Sequence, residues 1–115
     1  MPMINQLRFY RIDPALKDAF LTRFHDHAAR LMRDRYGFDI VAMWLTDEID
    51  QLRFAYLLSW PDRAAMTAGW AAFMADEEWA EIKRRSRGPG GEPVLGVEDI
   101  LLEAVDFSAP LSGRS

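Results

Sequence analysis

Cysteine is missing altogether from this 115-residue chain. Its absence removes disulfides, thiolate nucleophiles and cysteine-ligated metals or clusters. Histidine is scarce: only His25 and His27 occur. Two residues apart on a predicted helix means about 200° around its axis, so the pair cannot grip one metal ion as an i, i+4 pair can. Positive charge is not in excess, the formal net charge being -4, which argues against nucleic acid as a general partner. The one basic run, Lys83-Arg84-Arg85-Ser86-Arg87, falls at a predicted helix end, where cations suit the negative end of the macrodipole.

Long apolar runs are absent too. No stretch approaches the ~20 apolar residues of a membrane helix, and Met1-Pro2-Met3-Ile4-Asn5-Gln6 does not open a signal-peptide core. No membrane span and a cytoplasmic location are therefore expected. No glycine-rich loop joins a strand to a helix, so dinucleotide-type phosphate cradling is not expected. Gly88-Pro89-Gly90-Gly91 follows a helix and lacks the Lys or Ser of a phosphate loop. Ser59 has no His and acid to form a triad with it. No cofactor and no metal are expected.

What is present is an ordinary globular composition, 50% hydrophobic and 28% charged, at a length suited to one core. Aromatics are plentiful: four Trp, three Tyr and seven Phe. That exceeds the need of a small core, so some should line a pocket or a subunit interface.

Residues 4 to 12 mix aromatic and branched side chains as a strand does, with Leu7 and Phe9 on one face and Gln6, Arg8 and Tyr10 on the other. Asp13-Pro14 is a helix start, the carboxylate as cap and Pro at the first helical position. Leu16, Phe20, Phe24, Ala28, Leu31 and Met32 follow at helical spacing until Gly37. Phe38 to Thr46 and Leu52 to Trp60 read as a hairpin joined by the polar Asp47-Glu48-Ile49-Asp50-Gln51. In the second strand Leu52, Phe54, Tyr56, Leu58 and Trp60 share one bulky face that must be covered. Asp62 caps a second helix carrying Ala65, Met66, Gly69, Trp70 and Phe73, and Asp76-Glu77-Glu78 starts a third with Trp79 and Ile82 inward. Gly88 to Pro93 is a loop by composition. The last strand is expected from Asp99 to Asp106. Residues 1–107 form the domain and 108–115 a flexible C-terminal tail.

Strand, helix, strand, strand, helix, strand is the split βαβ order of an α+β, ferredoxin-like fold: a four-stranded antiparallel sheet with helices on one face. The other face is expected to carry Arg8, Tyr10 and one aromatic set from the central strands. An uncovered apolar sheet face is an aggregation hazard that pairing two sheets removes, so a homodimer is expected.

Several segments resemble the NIPSNAP family. Gln6-Leu7-Arg8-Phe9-Tyr10-Arg11-Ile12 resembles its first strand, Ala42-Met43-Trp44-Leu45-Thr46-Asp47-Glu48-Ile49 its second strand and following turn, and Asp76-Glu77-Glu78-Trp79 its Asp-Pro-Glu-Trp segment. Leu58-Ser59-Trp60-Pro61-Asp62-Arg63-Ala64-Ala65 is similar to the antibiotic-biosynthesis-monooxygenase type of the same superfamily. Where NIPSNAP members often carry a His-containing strand, this chain has Ala55-Tyr56-Leu57-Leu58, so no role of that His carries over. The resemblance implies a homodimeric α/β barrel with a cavity in each subunit and leaves the activity open.

The candidate pocket residues are Arg8, Tyr10, Trp44, Tyr56 and His27. An Arg in a strand facing an apolar cavity needs a negative partner, either a ligand carboxylate or enolate or a structural Asp or Glu. Tyr56 and Trp44 would add a hydroxyl and an aromatic wall, or be plain core. His27 sits at the edge of the apolar stripe as a hydrogen-bonded boundary residue, the other reading being a base or haem ligand; His25 is read as solvated. Three functions follow. One is a pocket binding a small organic ligand or a surface for a partner. Another is a cofactor-independent monooxygenase or isomerase acting on an aromatic or polyketide-like substrate. The third is haem binding through His27.

Overall fold

The structure, a computed structural model, describes residues 3–86 and 91–109. Strand β1 (Ile4–Ile12) leads into a 3-10 turn (Pro14–Leu16), helix α1 (Lys17–Arg23) and two π-helical segments that continue it (Phe24–Ala28 and Leu31–Arg35). Strand β2 (Asp39–Thr46), a 3-10 turn (Glu48–Asp50), strand β3 (Arg53–Trp60), helices α2 (Arg63–Met74) and α3 (Glu77–Ser86), and strand β4 (Val94–Glu103) follow.

All three carboxylates expected to start helices do so. Asp13 Oδ1 accepts from the Ala15 amide at 3.0 Å, Asp62 Oδ1 from Ala65 at 2.7 Å, and Asp76 Oδ1 from Trp79 at 2.7 Å, each satisfying an amide that the helix cannot. Gly37 takes φ +70 after the first helical run, a conformation that glycine adopts without a Cβ penalty. That run departs from uniform α geometry. Its wide turns, seen in the Tyr36 amide donating to the Leu31 carbonyl at 3.2 Å, keep Phe20, Phe24, Ala28, Leu31 and Met32 all buried.

The four strands pair antiparallel in the order β2-β3-β1-β4, which is the ferredoxin-like arrangement, with the helices on one face. Leu58, Tyr56 and Phe54 of β3 meet the helices and are buried, as expected. Each such side chain contributes about 1.5–3 kcal/mol through burial.

Two expectations are corrected. Arg8 and Tyr10 lie on the helix-covered face, not the open one: the Tyr10 ring packs edge-on against Phe20 at 6.0 Å. Register gives the reason, since Arg8 stands opposite Tyr56 and Tyr10 opposite Phe54, and cross-strand partners share a face. Leu7 and Phe9 therefore occupy the open face. The last strand runs Val94–Glu103 rather than Asp99 to Asp106, because it pairs along β1 from Ile12 to Ile4 and has no partner beyond. Within the expected 88–93 loop, Gly88, Pro89 and Gly90 lie outside the described residues, as do Arg87 of the basic run and residues 110–115 of the expected tail.

Candidate active site between sheet and helices

A cavity of about 450 Å³ opens between the helix-covered face and the helices. Its walls are aromatic and aliphatic, from Phe20 and Phe24 of the first helical run, Trp70 and Phe73 of α2 and Trp79 of α3. Arg8, Tyr10, Arg23, Lys83 and Glu92 are the charged and hydroxyl-bearing groups among its lining residues.

Arg8 is the centre of a polar network set into this apolar surround. Its side chain is 16% exposed. Nε donates to the Tyr56 hydroxyl at 3.1 Å and Nη1 to Asp99 Oδ2 at 3.1 Å, while the guanidinium stacks 4.2 Å from the Trp70 ring centre. The Tyr10 oxygen also acts on the guanidinium as a hydrogen-bond partner. Burial works against the charge, but the oxygens of Tyr10 and Tyr56 outweigh it and raise the Arg8 pKa above its ordinary value. Burial likewise pushes the Tyr56 hydroxyl well above its ordinary value; Tyr10 adds to the rise and Arg8 opposes it. Tyr56 therefore keeps its proton, and its oxygen lies 2.6 Å from that of Tyr10.

Gln6 supports the site from below. Its Oε1 accepts from both indoles, Trp60 at 3.1 Å and Trp70 at 2.8 Å, and its Nε2 donates to Asp99 at 2.7 Å. Two donors on one side and a carboxylate on the other fix the amide's orientation. At the far wall Arg23 makes a two-pronged pair with Glu92 at 2.9 and 2.7 Å, and Glu92 Oε2 also accepts from the Val94 amide at 3.0 Å, tying β4 to the first helix. Lys83 lies 5.6 Å from the Trp79 ring centre.

Of the five residues singled out from sequence, Arg8, Tyr10 and Tyr56 come together here. Trp44 does not: it pairs with Ala55 on the open face and is 50% exposed. A bulge between Ile40 and Ala42 adds one residue to β2, and that shift sends Ala42 and Trp44 to the opposite face from Ile40. His27 also lies elsewhere, in a surface groove with Asp18, Thr22 and Ile82; its Nδ1 is buried without a hydrogen-bond partner. His25 is exposed beside Asp26. Neither histidine lines the cavity, so a haem seated there would lack the helical His ligand that the third reading requires. No group of three or more potential metal ligands gathers among the described residues.

Sequence reading missed Gln6, Asp99, Trp70, Arg23, Lys83 and Glu92. Gln6 did leave a signal, an amide placed mid-strand on the same face as Arg8 and Tyr10; Asp99 and Glu92 left none, because their roles depend on the β4 register.

The NIPSNAP family model matches residues 5–109. The chain belongs to the NIPSNAP family. Among solved structures, an uncharacterised NIPSNAP-like domain protein from Burkholderia xenovorans superposes with a TM-score of 0.78 at 21% identity, covering 94% of this chain and 90% of its own. A NIPSNAP family protein of unknown function from Agrobacterium tumefaciens gives 0.77 at 17%, covering 93% and 92%. A monooxygenase of Streptomyces coelicolor, solved with nanaomycin D, gives 0.59 at 14%, covering 95% and 93%. These likenesses extend the ferredoxin-like fold from NIPSNAP proteins to the monooxygenase type. No curated protein matches the chain. No helix among the described residues is long and apolar enough to cross a membrane.

Proposed function

We propose that this NIPSNAP protein is a homodimer that binds a small organic molecule in the cavity of each subunit. The observation that carries the reading is the charged Arg8 guanidinium in the lining of an aromatic cavity, against the Trp70 ring. A cavity of about 450 Å³ is in the range of small-molecule sites, which are mostly apolar with a few placed polar groups. The dimer is supported by the open sheet face, where Trp44, Ile100 and Leu102 are exposed and Leu7, Phe9 and Leu57 only half-buried.

Native mass spectrometry of the purified protein tests both parts. The expected spectrum is a dimer that retains a small-molecule mass, lost in Met74→Trp, which plugs the cavity mouth from an exposed helical position. A monomer would end the dimer reading; a wild type whose bound mass survives Met74→Trp would end the pocket reading.

An enzymatic reading, cofactor-independent oxygenation or isomerisation of an aromatic or polyketide-like compound, is favoured by one feature: a protonated Tyr56 hydroxyl hydrogen-bonded to Tyr10 beside a cation. Such a set can steady an enolate or phenolate. The related fold that holds nanaomycin D makes polycyclic phenols the compounds to try. Oxygen uptake with such a phenol, lost in Arg8→Ala, is the expected result; no uptake above buffer would exclude the oxygenation.

A further inference from the structure

The hydrogen-bond pattern around Tyr10 narrows the class of ligand, and this step rests on the pocket reading above. Tyr56 is 0% exposed. Its oxygen accepts from Arg8 Nε and lies 2.6 Å from the Tyr10 oxygen. Two hydroxyls at that distance share one proton, and the second proton must go elsewhere. If Tyr10 donated, the Tyr56 proton would be enclosed with no acceptor among the described residues, a cost that the opposite arrangement avoids. Tyr56 therefore donates, and the Tyr10 O–H turns to the cavity that Tyr10 helps to line. The chain of donors runs from Arg8 through Tyr56 to Tyr10, each bond polarising the next.

The other polar groups of the lining agree. Arg8 lines the cavity, and Asp99 engages only Nη1 of its guanidinium. Lys83 has no carboxylate within ion-pair distance among the described residues. Glu92, the carboxylate in the wall, already has both oxygens engaged by Arg23 and one of them by the Val94 amide as well. The cavity thus offers hydrogen-bond donors and positive charge between aromatic walls. We infer that it selects a flat aromatic acid, whose carboxylate meets the Arg8 guanidinium and accepts the Tyr10 O–H while its rings lie among Trp70, Trp79 and Phe24. Tyr10 is the hydroxyl that touches the ligand; Tyr56 positions it.

Calorimetry with three probes on one ring system tests this: 2-naphthoate, 2-naphthamide and 2-naphthylmethylamine. The acid should bind at least about tenfold tighter than the amide, and the amine weakest, since a lost charge-assisted hydrogen bond is worth about tenfold or more. Tyr10→Phe should weaken naphthoate about tenfold, and Tyr56→Phe less, because the Tyr10 hydroxyl survives there. Amine or amide binding as tight as the acid, or Tyr56→Phe costing more than Tyr10→Phe, would overturn the inference. Equal binding of all three that disappears in Met74→Trp would leave the pocket standing and remove only the anion preference. Failure of every probe to bind at millimolar concentration would remove the pocket reading and this inference with it.

Discussion

Along β1, Gln6, Arg8 and Tyr10 look toward the helices while Asn5, Leu7 and Phe9 look away, and the two faces of the sheet are built differently. The covered face embeds a connected polar network, from Trp60 and Trp70 through Gln6 and Asp99 to Arg8, Tyr56 and Tyr10, within stacked aromatics. The open face is mostly plain apolar surface around Leu7, Phe9, Leu57 and Trp44, with Arg53 lying 5.0 Å from the Phe9 ring centre. Polar groups that must recognise a small molecule need a fixed geometry, which buried and satisfied partners supply. A face meant to meet another sheet needs area and complementary shape instead.

Truncating one aromatic on each face is the strongest way to break that comparison. Phe54→Ala removes a ring packed 4.8 Å from Phe24 and 5.1 Å from Phe20 and should cost about 3–5 kcal/mol in urea unfolding. Trp44→Ala removes a larger ring that is half exposed. It should leave the unfolding of dilute, monomeric protein within about 1 kcal/mol of wild type, since surface substitutions usually change little, and should weaken dimerisation in sedimentation experiments. A Trp44→Ala protein as destabilised as Phe54→Ala at low concentration would mean that the open face is core.

The same two residues show what a sequence can and cannot reveal. Phe54 belongs to an alternating run of large side chains, Leu52 to Trp60, whose shared face follows from period two and whose need for cover follows from its bulk. Trp44 sits on an equally legible strand, but the bulge between Ile40 and Ala42 reverses its face, and nothing in Val41 announces an extra residue. Helix starts were legible because Asp13, Asp62 and Asp76 each cap within three residues. The partnership of Arg8 with Asp99 was not, since it depends on a register set across 91 residues of chain. Assigning Arg8 and Tyr10 to the open face failed for a related reason: period two separates two faces but does not say which one the helices cover.

A smaller effect concerns how the covering helices are held. Asp76 is buried between α2 and α3, where its Oδ2 accepts from the Tyr36 hydroxyl at 2.5 Å and from Arg35 at 2.8 Å. The Tyr36 hydrogen bond, with the Trp79 amide and Arg35 and against the effect of burial, lowers its pKa from 3.8 to about 2. A carboxyl whose pKa falls on folding adds stability that is present above its unfolded value and is lost as pH drops through its folded value. Wild type should therefore lose stability between about pH 4 and pH 2, and Asp76→Asn should be less stable at pH 7 by about 1–3 kcal/mol with a flatter acid limb. Because Asp76 caps the helix that carries Trp79 and Lys83, acid should loosen the cavity wall. Urea midpoints across pH 2 to 6 read the stability effect; an unchanged acid limb in Asp76→Asn would show that another carboxylate sets it.

The smallest expected effect tests how closely α2 lies on the covered face. A Cβ on Gly69 would sit 2.8 and 2.9 Å from two atoms of the Trp60 ring, closer than carbon atoms tolerate, and Trp60 is held in β3 with its indole bonded to Gln6. Overpacking of this kind costs about 1–3 kcal/mol, against which alanine returns about 1 kcal/mol of helix propensity over glycine. Gly69→Ala should thus be destabilised by about 1 kcal/mol net, with naphthoate binding weakened as Trp60 pushes on Gln6 and, through Asp99, on Arg8. A stabilised Gly69→Ala protein would mean that helix α2 rides further from the sheet than this contact implies. The covered face would then be tuned by its side-chain network rather than by close backbone approach.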